Sequence, residues 1–181
     1  MRLLDCLDQR TGLLPPGRYG ASLEELADEF VHAEVFDASR TRRDLWAEWE
    51  SHRAVIELTA GGVDRIWLAG SFVSAELDPR DIDVTYFIGL GRYNELSRAD
   101  VADLVEFTEV AWCRSNGMRV DAYLVPLLDG TPYDRMTKGA LSAAEEDSLR
   151  GIGLYDEVWQ RPRRSLGPVS EGRRGYVEVL R

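Results

Sequence analysis

Asp81 and Asp83 stand two residues apart at the opening of an apolar, β-prone segment, Ile82 to Ile88. A Gly70-Ser71 pair ends the β-prone segment before it, Ile66 to Ala69. Successive side chains on a strand alternate faces, so Asp81 and Asp83 point the same way and Ile82, Val84 and Tyr86 point into a core. Two carboxylates on one face repel each other unless a positive group sits between them. A divalent cation that prefers oxygen ligands is the usual solution. A third carboxylate, Asp121, lies in another β-prone run, Met118 to Val125, which Pro126 is expected to close. There Arg119, Asp121 and Tyr123 share one face, and Val120, Ala122 and Leu124 the other. A carboxylate within a packed sheet is costly without a partner. Arg119 or another arginine is the plain partner for Asp121, and a metal shared with Asp81 and Asp83 is the functional one.

The elements that position these residues are legible in outline. Leu3, Leu4 and Leu7 precede Leu14-Pro15-Pro16-Gly17, where the double proline forbids helix and predicts an extended segment across the surface. Ser22 with Glu25 forms a capping box for an amphipathic helix over about 22–33. A second helix is expected from Ser39 or Thr41 to about Thr59, stopped by Gly61-Gly62. Its stripe of Leu45, Trp49, His52 and Ile56 makes His52 a core side chain. Arg40, Arg42 and Arg43 read as a solvated face. Gly89 to Asn94 reads as a loop. Ser97 with Asp100 starts a third helix, buried through Val101, Leu104, Val105, Thr108, Ala111 and Trp112. Ser142 and Glu145 cap a later helix, which Gly151 and Gly153 are expected to shorten or break. Tyr176 to Leu180 alternates as a final edge strand.

Composition bounds the partners. The 181 residues are 44% hydrophobic and 30% charged, with a formal net charge of -10. That balance argues against broad clamping of nucleic acid, so no extended DNA binding is expected. Residues 161–181 carry six arginines against two glutamates, a local +4, and Lys138 is the only lysine. Cys6 and Cys113 are isolated thiols without metal-ligand spacing, which fits a reducing cytoplasm. No apolar run approaches membrane-spanning length, and the N-terminus has no apolar signal core, so no membrane partner is expected. No nucleophile-elbow motif is present, and neither histidine has a spaced Ser or Cys partner, which disfavours a hydrolase. With no repeat or low-complexity linker, a single domain over 1–181 is expected: a core at 65–126, an N-terminal extended segment and helices at 1–64, and a C-terminal extension at 127–181.

The order of Gly70-Ser71 after a strand, Asp81-Ile82-Asp83 opening the next, and Asp121 on a later strand resembles the polymerase-β-like nucleotidyltransferase superfamily, especially its minimal members. With Leu14-Pro15-Pro16-Gly17, Phe72-Val73, Pro79 and Gly175-Tyr176-Val177, the chain is similar to a small domain-of-unknown-function family within it. The superfamily likeness covers about 65–126 and the wider one most of the chain. The resemblance implies an α/β (α+β) fold with a mixed central sheet flanked by helices. It implies an enzyme that moves a nucleoside monophosphate from an NTP such as ATP to a hydroxyl of a protein, a tRNA or a small molecule, as toxin–antitoxin or defence components do. Asp81, Asp83 and Asp121 would ligate Mg²⁺ or Mn²⁺ and carry catalysis, and Gly70 and Ser71 would take the phosphates. Arg80, Arg119, Arg163 and Arg164 are the candidate phosphate arginines. The connector, Phe72 to Arg80, is nine residues where ten is the commoner spacing, and Glu76 stands where relatives often carry lysine, so its carboxylate must point away. The alternative is a catalytically inactive module of the same fold that binds a partner protein, as an antitoxin does.

Overall fold

The computed structural model describes residues 2–128, 131, 136, 139–161 and 173–180. A five-stranded mixed sheet carries helices on both faces. Its strands are β1 (Gly17–Ala21), β2 (Arg65–Ala69), β3 (Ile82–Gly89), β4 (Val120–Leu127) and β5 (Gly175–Val179), in the spatial order β1-β5-β2-β3-β4. β2 runs antiparallel to both β3 and β5, whereas β3–β4 and β1–β5 are parallel. This is the expected α+β arrangement of a mixed sheet flanked by helices.

The helices are α1 (Leu23–Phe30), α2 (Arg42–Ala60), α3 (Leu90–Glu95), α4 (Arg98–Phe107), α5 (Val110–Ser115) and α6 (Ala143–Trp159). Three begin as their sequences predict, with reciprocal capping boxes at Ser22/Glu25, Ser97/Asp100 and Ser142/Glu145. α2 ends at Gly61, whose φ of 67° is left-handed. On one sheet face Leu45, Trp49 and Ile56 of α2 pack with Ile66, Leu68, Val84, Tyr86 and Val177. On the other, Trp159 of α6 packs with Trp67, Phe87, Val125 and Tyr176.

Several expectations are corrected. The N-terminal segment does more than lie extended on the surface, because residues 17–21 form edge strand β1. β5 is interior, held between β1 and β2, and the edges are β1 and β4. Pro126 does not close β4; it sits inside it, opposite Ile88. An edge strand tolerates the missing N–H. Gly89 to Asn94 is largely helical, as α3. α6 runs unbroken through Gly151 and Gly153. A Cβ at Gly151 would lie 2.9 Å from Val125 Cγ1, so that glycine serves close helix–sheet packing. The stripe proposed after Ser97 is also broken: the chain turns at Thr108–Glu109, Leu104 and Cys113 are buried, and Val105 is 54% exposed.

His52 is fully buried on α2, as its stripe predicts. Its Nε2 lies 2.9 Å from the Phe107 carbonyl, which only accepts, so Nε2 carries the proton. Nδ1 then accepts from the Tyr86 hydroxyl at 2.9 Å. Burial lowers the His52 pKa, partly offset by the Phe107 hydrogen bond. A depressed histidine stays neutral when folded while the unfolded chain takes up a proton below about pH 6.5. Stability is therefore full above that pH and falls below it, by at most about 1.4 kcal/mol per pH unit. Denaturation of wild type and His52→Gln between pH 7.5 and 5 should show a steeper acid loss in wild type. Equal slopes would refute this assignment.

Candidate functional site

β2 ends at Ala69, and Gly70 turns away with φ 76°, a left-handed value. Ala69 stands opposite Asp83 across the antiparallel β2–β3 pair. A side chain at Gly70 would overlap the Asp83 carboxylate, with Asp83 Cγ only 2.8 Å from an added Cβ. The glycine is therefore required for two reasons, its backbone conformation and the carboxylate packed against it.

On the far side of β3, Asp83 stands level with Asp121 of β4. Parallel neighbours at one register position point to the same face, with strands about 4.8 Å apart. Two of the three predicted carboxylates are thus brought together at one end of the sheet. Asp83 is buried and Asp121 half-buried. Asp81 is half-buried just outside β3, two residues ahead of Asp83. Among the described residues, no group of three or more His, Cys, Asp or Glu side chains is placed to hold a metal ion together.

Arg119 is not the partner of Asp121. Its Nε and Nη2 grip Glu48 of α2 at 2.5–3.1 Å, and its backbone N–H donates to the same carboxylate at 2.8 Å. Burial tends to raise the Glu48 pKa, but the Arg119 hydrogen bonds and charge bring it below the usual value. The Arg119 carbonyl accepts from Ile82 N–H at 3.0 Å, so this pair fixes where β3 and β4 meet and hence the level of Asp83 and Asp121. Arg80 is exposed beside Asp81. Arg163 and Arg164 lie outside the described residues.

Tyr123, two residues beyond Asp121 on the same face, donates its hydroxyl to the Asp121 carboxylate. Burial, then the charge of Asp121, pushes the Tyr123 pKa up to about 12, so it remains a donor. Its ring packs against Tyr155 at 5.0 Å and Trp159 at 5.5 Å. Trp159 Nε1 donates to Thr85 at 2.9 Å, the next residue after Asp83 on that face. α6 thus builds an aromatic wall beside the carboxylates.

The connector is fastened from beneath by Arg42. This residue is fully buried, contrary to the solvated face its neighbours suggested, while Arg40 and Arg43 are exposed. Its guanidinium donates to the carbonyls of Phe30, Phe72, Ser74 and Glu76 at 2.6–2.9 Å. It also lies 3.7 Å from the centroid of the Phe36 ring. Burial lowers the Arg42 pKa to about 10, countered by Glu76 and Asp78. Glu76 is exposed, and its charge supports Arg42. Asp78 accepts from Ser39 and from the Arg40 N–H at 3.2 and 2.6 Å. Ala75 N–H donates to the Gly12 carbonyl at 2.8 Å. Ser71 is half-buried, and its carbonyl accepts from the Ser74 hydroxyl at 2.7 Å. The nine-residue spacing is thus accommodated by a pinned loop.

The N- and C-terminal motifs meet at the same end of the sheet. Gly17 pairs with Gly175, and Gly175 N–H donates to the Leu14 carbonyl at 2.7 Å. A model of a family of unknown function, DUF6932, matches residues 6–180. No curated protein and no solved structure matches the chain.

Proposed function

The chain belongs to that family of unknown function, and we propose that it is a metal-dependent nucleotidyltransferase moving a nucleoside monophosphate from an NTP to a hydroxyl. The observation that carries the proposal is the level placement of Asp83 and Asp121 on one face, with Gly70 cleared of any side chain above Asp83. Mg²⁺ typically takes one or two carboxylates and completes its shell with water and substrate phosphates. A two-carboxylate site beside an open glycine turn fits that habit, with Asp81 as the third candidate ligand.

Each residue then has a task. Asp83 and Asp121 would hold Mg²⁺ or Mn²⁺, and when bound the cation would neutralise charge on the transferring phosphoryl group. Gly70 lets backbone approach the phosphates, and the Ser71 hydroxyl would donate to a phosphate oxygen. Tyr123 holds the Asp121 carboxylate in one orientation. Asp121, less buried than Asp83, would face the acceptor hydroxyl of a protein, tRNA or small molecule. The free cysteines Cys6 and Cys113 support a cytoplasmic setting. Among the described residues no helix is long and apolar enough to cross a membrane.

A second reading is a partner-binding module without turnover. The lack of a three-ligand acidic group among the described residues favours it. Thermal-shift titration with each NTP and Mg²⁺ or Mn²⁺ separates the two. A ligand at a hundred times its dissociation constant should stabilise wild type by about 2.7 kcal/mol. The Asp81→Asn/Asp83→Asn double variant should show no such shift. A wild type that responds to no NTP would leave the partner-binding module.

A further inference from the structure

A triphosphate at Asp83 and Asp121 brings more negative charge to an acidic corner, so cationic side chains must meet its far end. The obvious arginines are committed elsewhere: Arg119 to Glu48, and Arg42 to carbonyls beneath the connector. The register of the sheet identifies another. Leu68 of β2 pairs with Val177 of β5. Continuing that antiparallel register brings Arg174-Gly175 level with Gly70-Ser71. The level row across this end of the sheet is Tyr176, Ala69, Asp83 and Asp121, and Arg174 stands two residues beyond Tyr176, at the end where Gly70-Ser71 leaves β2. Adjacent strands lie about 4.8 Å apart and successive residues rise about 3.3 Å, so the Arg174 backbone starts roughly 12 Å from that of Asp83, within reach of a ligand shared by the two.

The face is also right. Trp67 stands opposite both Thr85 and Glu178, which puts the even-numbered residues of β5 on the face of Asp83. Arg174 follows this alternation, and its Nε donates to the Trp159 carbonyl at 3.0 Å, on the α6 side of the sheet. That bond fixes the guanidinium at the C-terminus of α6. Its neighbour Arg173 is exposed and pairs with Glu157 at 2.5 Å.

Resting on the nucleotidyltransferase reading, we infer that Arg174 is the phosphate-binding arginine of the site, reaching from beside the Gly70-Ser71 turn to the end of the triphosphate that leaves as pyrophosphate. The guanidinium suits this because it presents several donors in a fixed plane to phosphate oxygens. Arg173, one residue away, serves as the internal comparison, since its removal changes net charge equally.

The test is calorimetric titration of the full chain with inorganic tripolyphosphate and Mg²⁺. Wild type, Arg174→Gln, Arg174→Lys and Arg173→Gln are compared, with unfolding of each measured without ligand. Loss of a charged hydrogen-bonding partner should weaken tripolyphosphate binding by about 10- to 100-fold in Arg174→Gln. Arg174→Lys should recover part of that loss, and Arg173→Gln should stay within about threefold of wild type. If Arg174 only caps α6, its variants will melt lower while the folded protein binds tripolyphosphate as wild type does, which overturns the inference. Equal weakening by Arg173→Gln also overturns it, by showing a bulk charge effect. If Arg174→Gln fails to fold, Arg174→Lys decides, since wild-type affinity there refutes a guanidinium-specific contact. In these cases wild type still binds and the nucleotidyltransferase reading stands. A wild type that binds no tripolyphosphate with Mg²⁺ sinks that reading and this inference together.

Discussion

Gly70→Ala should lower the unfolding free energy by about 2–5 kcal/mol, a large change for a single methyl group at a strand end. Two costs combine. An alanine at φ 76° occupies left-handed backbone, which costs roughly 1–2 kcal/mol. The added Cβ also meets the Asp83 carboxylate, with Cγ at 2.8 Å and Cβ at 3.3 Å. Displacing a packed neighbour costs typically 1–3 kcal/mol. Asp83 has little room to yield, because β3 is buried along its whole length. A double-mutant cycle with Asp83→Ala separates the terms. If the carboxylate is the obstacle, the two substitutions should couple by about 1–3 kcal/mol, leaving mainly the backbone cost in the double variant. Strict additivity in urea denaturation would show that Gly70 and Asp83 do not press on each other. The same experiment bears on function, since a site that shifts Asp83 cannot keep it level with Asp121.

The parts of the fold legible in sequence are those set by local chemistry. Ser22, Ser97 and Ser142 each bond the backbone N–H three residues on, so a short pattern marks each helix start. Gly61 stops α2 because it alone there accepts the left-handed turn at low cost. Alternation in Ile82 to Ile88 identified β3 and put Asp83 opposite its core face. What escaped depends on distant partners. β1 reads Gly-Arg-Tyr-Gly-Ala and shows little β pattern; it becomes a strand because β5, more than 150 residues later, offers a parallel edge. α6 survives two glycines because Val125 packs against one of them and Trp159 anchors its end. Arg42 looks solvated between Arg40 and Arg43, yet three of its four acceptors lie on a loop thirty or more residues away. Its one local signal is position, since it stands three residues before Leu45 and seven before Trp49, on the buried stripe. At the candidate site, the placement of Asp83 on the face opposite its strand's core, with a glycine turn before it and Asp121 on a later strand, was readable from spacing. The positions of Tyr123 and Arg174 beside it were not, because each depends on which strands lie side by side.

Asp121→Asn is the sharpest test of the corner, because function and stability should move in opposite directions. Without a cation, two like charges at one level of adjacent strands are unfavourable, and removing one should stabilise the protein by up to about 1 kcal/mol. Asparagine nearly matches aspartate in shape and still accepts from the Tyr123 hydroxyl through its amide oxygen, so packing is preserved. With Mg²⁺ or Mn²⁺ present, wild type should gain stability that the variant does not. Transfer of a radiolabelled nucleoside monophosphate to an acceptor in cell extract should fall by about a thousandfold. That loss corresponds to roughly 4 kcal/mol, within the several kcal/mol that a metal supplies to a phosphoryl transition state. A residue kept for folding alone would not show this trade; catalytic groups accept local instability because their charges are arranged for the substrate. If Asp121→Asn is less stable without metal and equally responsive to it, Asp121 is a structural carboxylate. The paired-carboxylate basis for nucleotidyl transfer would then be lost.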